Sequence, residues 1–305
     1  MHRLPVVAAA ALLCACTASA GPEPGADVSL APSGFWDHWG DGRAELAGYV
    51  LRFPRYGEIR QGEAVLITVT EDFSAREPVK SDRGGAGAYP VLKTNQVMDF
   101  QTGVYDYNTM TSTFLRLDGG LPRGTPQRVS LSMQEWCGLT AERVVAGDRG
   151  LEHVLDSYFE GESVGPERLS LPERAVSEDA LPSLLRGLTG PLRGGEIQLL
   201  PRLVDGRLHH RALGWRDARL DRGDTRILET PAGAFSVIPW TLEGGEQGTR
   251  TWYVGTEPPH VVVGWEGEDG EQARLSGFMR TAYWQEAGEG REMLRAELGL
   301  PTRAR

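Results

Sequence analysis

The chain has 305 residues, 40% of them apolar and 24% charged, and a formal net charge of −10. Setting aside a short N-terminal run, about 270 residues remain, enough for one large β domain or two smaller ones. The acidic balance repels phosphate backbones and the basic residues are scattered singly, so nucleic acid is excluded as a partner.

Met1-His2-Arg3 is a basic start, and Leu4–Leu13 is an apolar run interrupted only by Pro5. A spanning helix needs about 20 residues. This shorter run, followed by small residues, reads as a secretory signal peptide. Leu13-Cys14-Ala15-Cys16 resembles the lipobox of bacterial lipoproteins: aliphatic at −3, small at −1, then cysteine. The resemblance implies signal removal and acylation of Cys16, so residues 1–16 are the signal peptide with its lipid-attachment cysteine. Cys14 fits poorly, because Leu13 would then sit at −1. The rival exit is Ala18-Ser19-Ala20 before Gly21, an ordinary A-x-A cleavage site. Thr17 follows Cys16 where an Asp would signal retention at the inner membrane. Similarity to lipoproteins of two-membraned bacteria thus implies an outer-membrane protein facing the periplasm. Residues 17–33 are rich in Ala, Pro, Gly and Ser, cannot offset their own ordering entropy, and read as a disordered tether. Cys137 is left without a partner, which excludes a structural disulfide from the mature chain.

Residues 34–305 carry the punctuation of a β protein. Leu46–Pro54 and Ile59–Val69 are predicted strands joined near Tyr56-Gly57. Val65–Val69 lacks alternation, so both of its faces are expected to be covered. Arg83–Ala88 is a loop. Val91–Phe100, Gly103–Tyr107 and Met110–Leu117 are further strands. Arg128–Trp136 alternates cleanly, with Val129, Leu131 and Met133 on one face. Thr140–Val145 and Leu151–Phe159 continue the meander. Between Pro166 and Gly195 prolines break the pattern, and a helix is expected over Ala180–Leu188, capped by Ser177 or Asp179. This segment, 166–195, is the one plausible seam in an otherwise single β-rich domain. Five strands follow: Arg226–Thr230, Ala234–Leu242, Thr249–Gly255, Val261–Trp265 and Ala273–Tyr283. Arg291–Leu298 closes the chain as a helix stopped by Gly299 and Pro301. The predicted fold is all-β: a strongly curved antiparallel sheet, half-barrel or barrel-like, with one or two short helices.

Several stretches resemble a family of uncharacterised exported bacterial lipoproteins. They are Phe35–Glu45, Arg55–Glu58, Val69–Phe73, Gln134–Gly138 and Ser157–Glu162. Some members of that family carry the label "septum formation inhibitor Maf". True Maf proteins are α/β nucleotide pyrophosphatases, and nothing here matches their N-terminal phosphate-contacting motif. Separately, Thr230–Phe235 with Trp252-Tyr253 and Pro259–Val263 is similar to an exported domain family of unknown function associated with curved β-sheets. Neither resemblance implies an active site.

Gly161-Glu162-Ser163-Val164-Gly165 matches the G-x-S-x-G elbow of serine hydrolases, with Asp205 or Asp217 and His260 in the required order. Pro166 follows at once and no helical periodicity comes after it, so a β-turn is the expected reading. Cys137 is a nucleophile only if a base lowers its pKa. His209-His210 sit side by side, where a strand would point them to opposite faces. No metal and no cofactor are predicted. The acidic loop Glu266–Glu271 lacks calcium-loop spacing and reads as a solvated hairpin tip. Eight tryptophans remain. Trp136, Trp240, Trp252 and Trp265 are the candidates for lining an apolar ligand groove in a concave sheet, with the packed core as the competing assignment. The expectation is an envelope-anchored, non-catalytic binding or scaffolding protein. Its partners would be the membrane, through the lipid, and an apolar small molecule or an envelope protein. The alternative is an envelope hydrolase using Ser163 or Cys137.

Overall fold

A computed structural model describes residues 31–302 apart from Arg123. The predicted signal peptide, Cys16 and most of the tether lie outside the described residues. A short helix α1 (Phe35–Trp39) leads into β1 (Ala44–Arg55), β2 (Glu58–Ser74), β3 (Ala88–Thr102), β4 (Tyr105–Arg116), β5 (Arg128–Glu135), β6 (Gly138–Gly147), β7 (Gly150–Ser157) and β8 (Val164–Leu169). The middle of the chain supplies β9 (Ala175–Ser177), α2 (Leu181–Leu184), β10 (Gly195–Leu200) and α3 (Leu203–Leu208). The C-terminal part supplies β11 (Arg216–Arg222), β12 (Arg226–Thr230), β13 (Gly233–Gly245), β14 (Gly248–Gly255), β15 (Val262–Gly267) and β16 (Gln272–Thr281). A 3-10 helix, Arg291–Leu298, follows.

The sixteen strands form one curved sheet that does not close, antiparallel throughout except for the β9–β10 pair. Its order is β8-β7-β6-β5-β4-β3-β2-β1-β16-β15-β14-β13-β11-β10-β9, with β12 paired to β13. The first and last strands of the domain therefore meet in the middle. Curvature follows from connectivity. Laid flat, fifteen strands spaced about 4.8 Å apart would span roughly 67 Å. Yet β8 and β9 lie at opposite edges of the sheet and are joined only by Ser170–Arg174. Such a link reaches roughly 20 Å, so the sheet must curl until its edges approach.

The curl is filled. β1 turns Tyr49, Leu51 and Phe53 inward onto the main core, and β5 does the same with Val129, Leu131 and Met133. The middle segment occupies the remaining concavity: Ala175 to Arg186 are all buried, as are Leu203, Val204, Asp205, Arg207 and Leu208. Polar contacts fix this plug to both arms. Thr94 and Ser183 share a 2.6 Å hydrogen bond, Thr113 donates to the Asp179 carbonyl at 3.2 Å, and Arg55 donates to the Leu208 carbonyl at 2.8 Å. Arg186 grips Glu45 of β1 bidentately at 2.6 and 2.9 Å. On the C-terminal side, Arg202 makes two bidentate pairs, with Asp205 at 2.7 and 2.9 Å and with Glu271 at 2.7 and 3.1 Å. Arg250 of β14 adds bonds to Glu178, to Asp205 at 3.4 Å and to Glu271 at 3.2 Å. Trp265 Nε1 donates to Glu271 at 2.6 Å. Apart from Arg55, which is half-buried, all of these charged groups are buried.

Four sequence expectations need correction. Gly103–Tyr107 and Met110–Leu117 are one strand, because Gly103 (φ +61) belongs to the turn and Tyr105–Arg116 pairs without a break. The helix expected over Ala180–Leu188 shrinks to a 3-10 turn followed by α2, and neither Ser177 nor Asp179 caps it by a side-chain hydrogen bond. Asp179 instead accepts from the Leu203 N–H at 3.1 Å, tying the two halves of the plug together. The closing Arg291–Leu298 helix is 3-10, ended as expected at Gly299 (φ +66). Finally, β8 to β11 and α3 were not anticipated.

Both faces of Val65–Val69 are covered. Leu66 faces the core, while Val65, Ile67 and Val69 lie under the C-terminal segment on the outer face. That segment is seated on two glycines opposite each other across β1 and β16, Gly48 and Gly277. A β-bulge there shifts the register, so Leu275 points to the core and Met279 to the outer cluster. A Cβ on Gly277 would lie 2.1 Å from the Glu297 carbonyl oxygen, and one on Gly48 would lie 2.2 Å from that of Leu298. Ser276 donates to the Leu298 carbonyl at 2.7 Å. Gly277→Ala is therefore expected to lift the C-terminal helix, at a cost of about 1–3 kcal/mol from overpacking. Limited proteolysis should then cut within residues 288–302 while the sheet stays resistant. Unchanged cleavage would refute this seating.

Candidate functional site

With the concavity filled, the apolar opening lies on the outer face. A cavity of about 270 Å³ runs between β1, β2, β3 and β16 and the C-terminal 3-10 helix. Its floor is Leu46, Val65, Ile67 and Val97, and its lid carries Leu294 and Leu298. The period-2 alternation of β1 and β2 dictates this floor: residues that skip the core emerge on the other side. Two ion pairs clasp the rim, Arg295–Glu63 at 3.0 Å and Arg291–Glu286 at 3.2 Å. Trp284 packs against the same cluster. Glu63, Asp99, Thr281 and Tyr283 share the lining with these aliphatic side chains. The cavity can take an apolar chain, and its size lies near the lower end for ligand pockets, roughly 300 Å³.

The tryptophans expected to line a groove lie elsewhere. Trp240, Trp252 and Trp265 stand side by side across β13, β14 and β15, directly paired in register. All three are buried in the main core, and Trp265 packs on Tyr49 with ring centroids 4.9 Å apart. The structure brings them together, and none of the three lines the outer cavity. Trp136 is separate and exposed on the β5–β6 hairpin tip.

A second cavity, about 280 Å³, lies between β6–β8 and the residues after α3. His153 is at its wall, buried, with Nδ1 2.8 Å from Glu167 and Nε2 2.7 Å from Glu142. Both ring nitrogens can donate only if the imidazole is protonated. Burial works to lower the His153 pKa, but the bonds to Glu142 and Glu167 and their charges prevail and hold it above the ordinary value. Across the cavity, His210 pairs with Glu162, whose other oxygen accepts from Ser157 Oγ at 2.7 Å. Arg207 is held by Thr140 at 2.7 Å and by the face of Phe159, 4.3 Å away. Sequence reasoning missed His153, because only the pairing of β6, β7 and β8 reveals its two carboxylates.

The G-x-S-x-G sequence lies beside this cavity, but Ser163 closes a turn. Its Oγ accepts from the Ser157 N–H at 3.0 Å and donates to the Ser157 carbonyl at 3.3 Å. Cys137 is fully exposed, and the hydrogen bond and charge of Glu135 push its thiol pKa up, away from a nucleophilic thiolate. His209 binds the Asp205 carbonyl at 2.9 Å, and His260 binds the Gly255 carbonyl at 3.0 Å. Among the described residues no group of three or more His, Cys, Asp or Glu converges as a metal site would. No protein-family model matches the chain, and no curated protein matches it significantly.

The raised pKa of His153 has a definite sign. Its contribution is fully present below the unfolded value of 6.5 and is lost as pH rises through the higher folded value. Thermal midpoints measured across that range should fall for the wild-type chain. The His153→Gln variant, expected to be about 1–3 kcal/mol less stable at pH 6 for want of a buried donor, should lack that fall. Parallel profiles would refute the assignment.

Proposed function

We propose that this chain is an envelope-anchored, non-catalytic binding protein that holds one apolar chain, such as the acyl segment of a lipid, in the cavity beneath its C-terminal helix. The observation that carries this reading is the lining: aliphatic residues from three central strands and a lid, closed at the rim by two ion pairs. Burial of an acyl chain there gains about 25 cal/mol per Å² of apolar surface removed from water, less the entropy of ordering the chain. The lipobox supports attachment through Cys16, export, and an outer-membrane position facing the periplasm. The anchor would keep the cavity within reach of membrane lipid. The turn geometry at Ser163 and the raised thiol of Cys137 favour binding over hydrolysis.

Mass spectrometry of an organic extract of the purified chain is expected to show a co-purifying lipid. Brominated fatty acids below their micellar concentration should quench Trp284, and Val65→Phe, which fills the cavity floor without adding a tryptophan, should weaken that quenching at least tenfold. A lipid-free extract with no quenching would overturn the binding reading. For the anchor, a palmitate analogue should label the wild-type chain and not Cys16→Ser. Equal labelling would remove the lipoprotein assignment and leave the cavity result standing.

A further inference from the structure

The hairpin tips at one end of the N-terminal arm share a character that neither the core nor the cavity requires. In an antiparallel meander, alternate turns fall at the same end. The β1–β2, β3–β4, β5–β6 and β7–β8 connections therefore line up along one rim. Each presents a large apolar or aromatic side chain to solvent: Tyr56 is 59% exposed, Val104 74%, Trp136 71% and Tyr158 64%. The first three tips, Tyr56-Gly57, Gly103-Val104 and Trp136-Cys137, contain no charged residue, although 24% of the chain is charged. At the opposite end the connections are studded with charge, among them Arg76, Glu77, Lys80, Asp148 and Arg149. On the C-terminal arm, the tips at the rim's own end carry Glu246, Glu268 and Asp269. The apolar line is thus confined to four neighbouring hairpins. Hairpins two strands apart place their tips about 9.6 Å from one another, so the line is roughly 29 Å long.

The rim is also held in place. Tyr56 adopts φ +55, a left-handed conformation that bulky residues rarely take. Its hydroxyl is tied to Tyr107 at 2.8 Å and to Arg55 at 3.2 Å, and the Arg55 guanidinium lies 4.2 Å over its ring. Trp136 rests against Tyr105, with centroids 6.5 Å apart.

We propose that these four tips form a membrane-contact rim, seating Tyr56, Val104, Trp136 and Tyr158 in the interfacial layer of a zwitterionic bilayer. Tyrosine and tryptophan are the side chains that favour that layer, with an apolar body and a polar end. The charge pattern selects the bilayer type. A chain of net charge −10 is repelled by an anionic surface, and Glu160 and Glu162 on the fourth tip add to that repulsion, whereas the three uncharged tips meet a zwitterionic surface without that penalty. Reach permits the contact. The described chain starts near the end of β1 remote from the rim, and β1 is roughly 40 Å long. The fourteen residues between Cys16 and Ala31 extend to roughly 50 Å. The proposal uses the anchored reading only for proximity and is independent of what the cavity binds.

The test uses the full lipidated chain reconstituted into phosphatidylcholine–phosphatidylethanolamine vesicles. The fluorescence lost in Trp136→Phe, with circular dichroism unchanged, isolates the contribution of Trp136. That contribution should be at least halved by phosphatidylcholine brominated near the top of its acyl chains, and acrylamide in the water should quench it at least threefold less than free tryptophan. Replacing a third of the lipid with an anionic one should reduce the bromine effect. Full acrylamide quenching without bromine quenching would overturn the proposal. So would a rim buried between two copies, seen in sedimentation as a dimer that Trp136→Ser dissolves. Either failure leaves the fatty-acid quenching of Trp284 as a separate result.

Discussion

A cluster of buried charge holds the two arms of this sheet to what fills them. Arg202 and Arg250 lie inside the curl with Glu178, Asp205 and Glu271, each arginine shared among carboxylates from distant parts of the chain. An isolated charge in that position would be very costly, and only mutual pairing makes the burial tolerable. The partners come from the plug, from β14 and from the residue just before β16, so the plug cannot leave without stranding ions in an apolar interior. The acids respond differently to this setting. For Asp205 and Glu271 the arginines outweigh burial, and their carboxyls are held below the ordinary range. Asp179 sits at the margin with one oxygen lacking a partner. Burial, together with neighbouring Glu178 and Asp205, pushes it up to about 7 despite the Leu203 N–H and Arg202.

This cluster decides which side of the sheet can do anything else. Curved sheets are natural cups, but here the cup is occupied by a segment that hydrogen-bonds to β1, β3, β4 and β6 as well as to the ion cluster. The tryptophans of β13 to β15 complete that interior. The back of the sheet, ordinarily left to water, carries the more apolar cavity, between its central strands and the C-terminal helix that the glycine pair seats.

The strands with regular alternation were legible in the sequence. Val129, Leu131 and Met133 all turn into the core as their spacing implies. β11 was not, since Arg216–Arg222 offers only Ala218 and Leu220 as inward residues among charges. The plug was hidden for a deeper reason. Arg202, Asp205, Arg250 and Glu271 look like surface residues in any local window, and their burial makes sense only once the fold brings them together. The outer cavity is invisible in the same way, since Leu46, Val65, Met279 and Leu298 are spread over nearly the whole domain and share a face only after β1 has paired with β16. Of the four tryptophans singled out in the sequence, Trp240, Trp252 and Trp265 pack in the main core and Trp136 lies on a hairpin tip; a residue's identity alone does not say whether it faces a ligand or a neighbour.

The meeting of β1 with β16 also sets an order of events. Each arm is a run of hairpins that can zip from local contacts, so both can begin to form early and separately. The join between them waits for the last strand to be made, and contacts this distant in sequence are slow to find. Until then β1 has a bare edge, the outer cavity has one wall, and Arg202 and Arg250 lack Glu271. The central seam of the sheet and the ion cluster beneath it thus close together, and only once the final strand is in place.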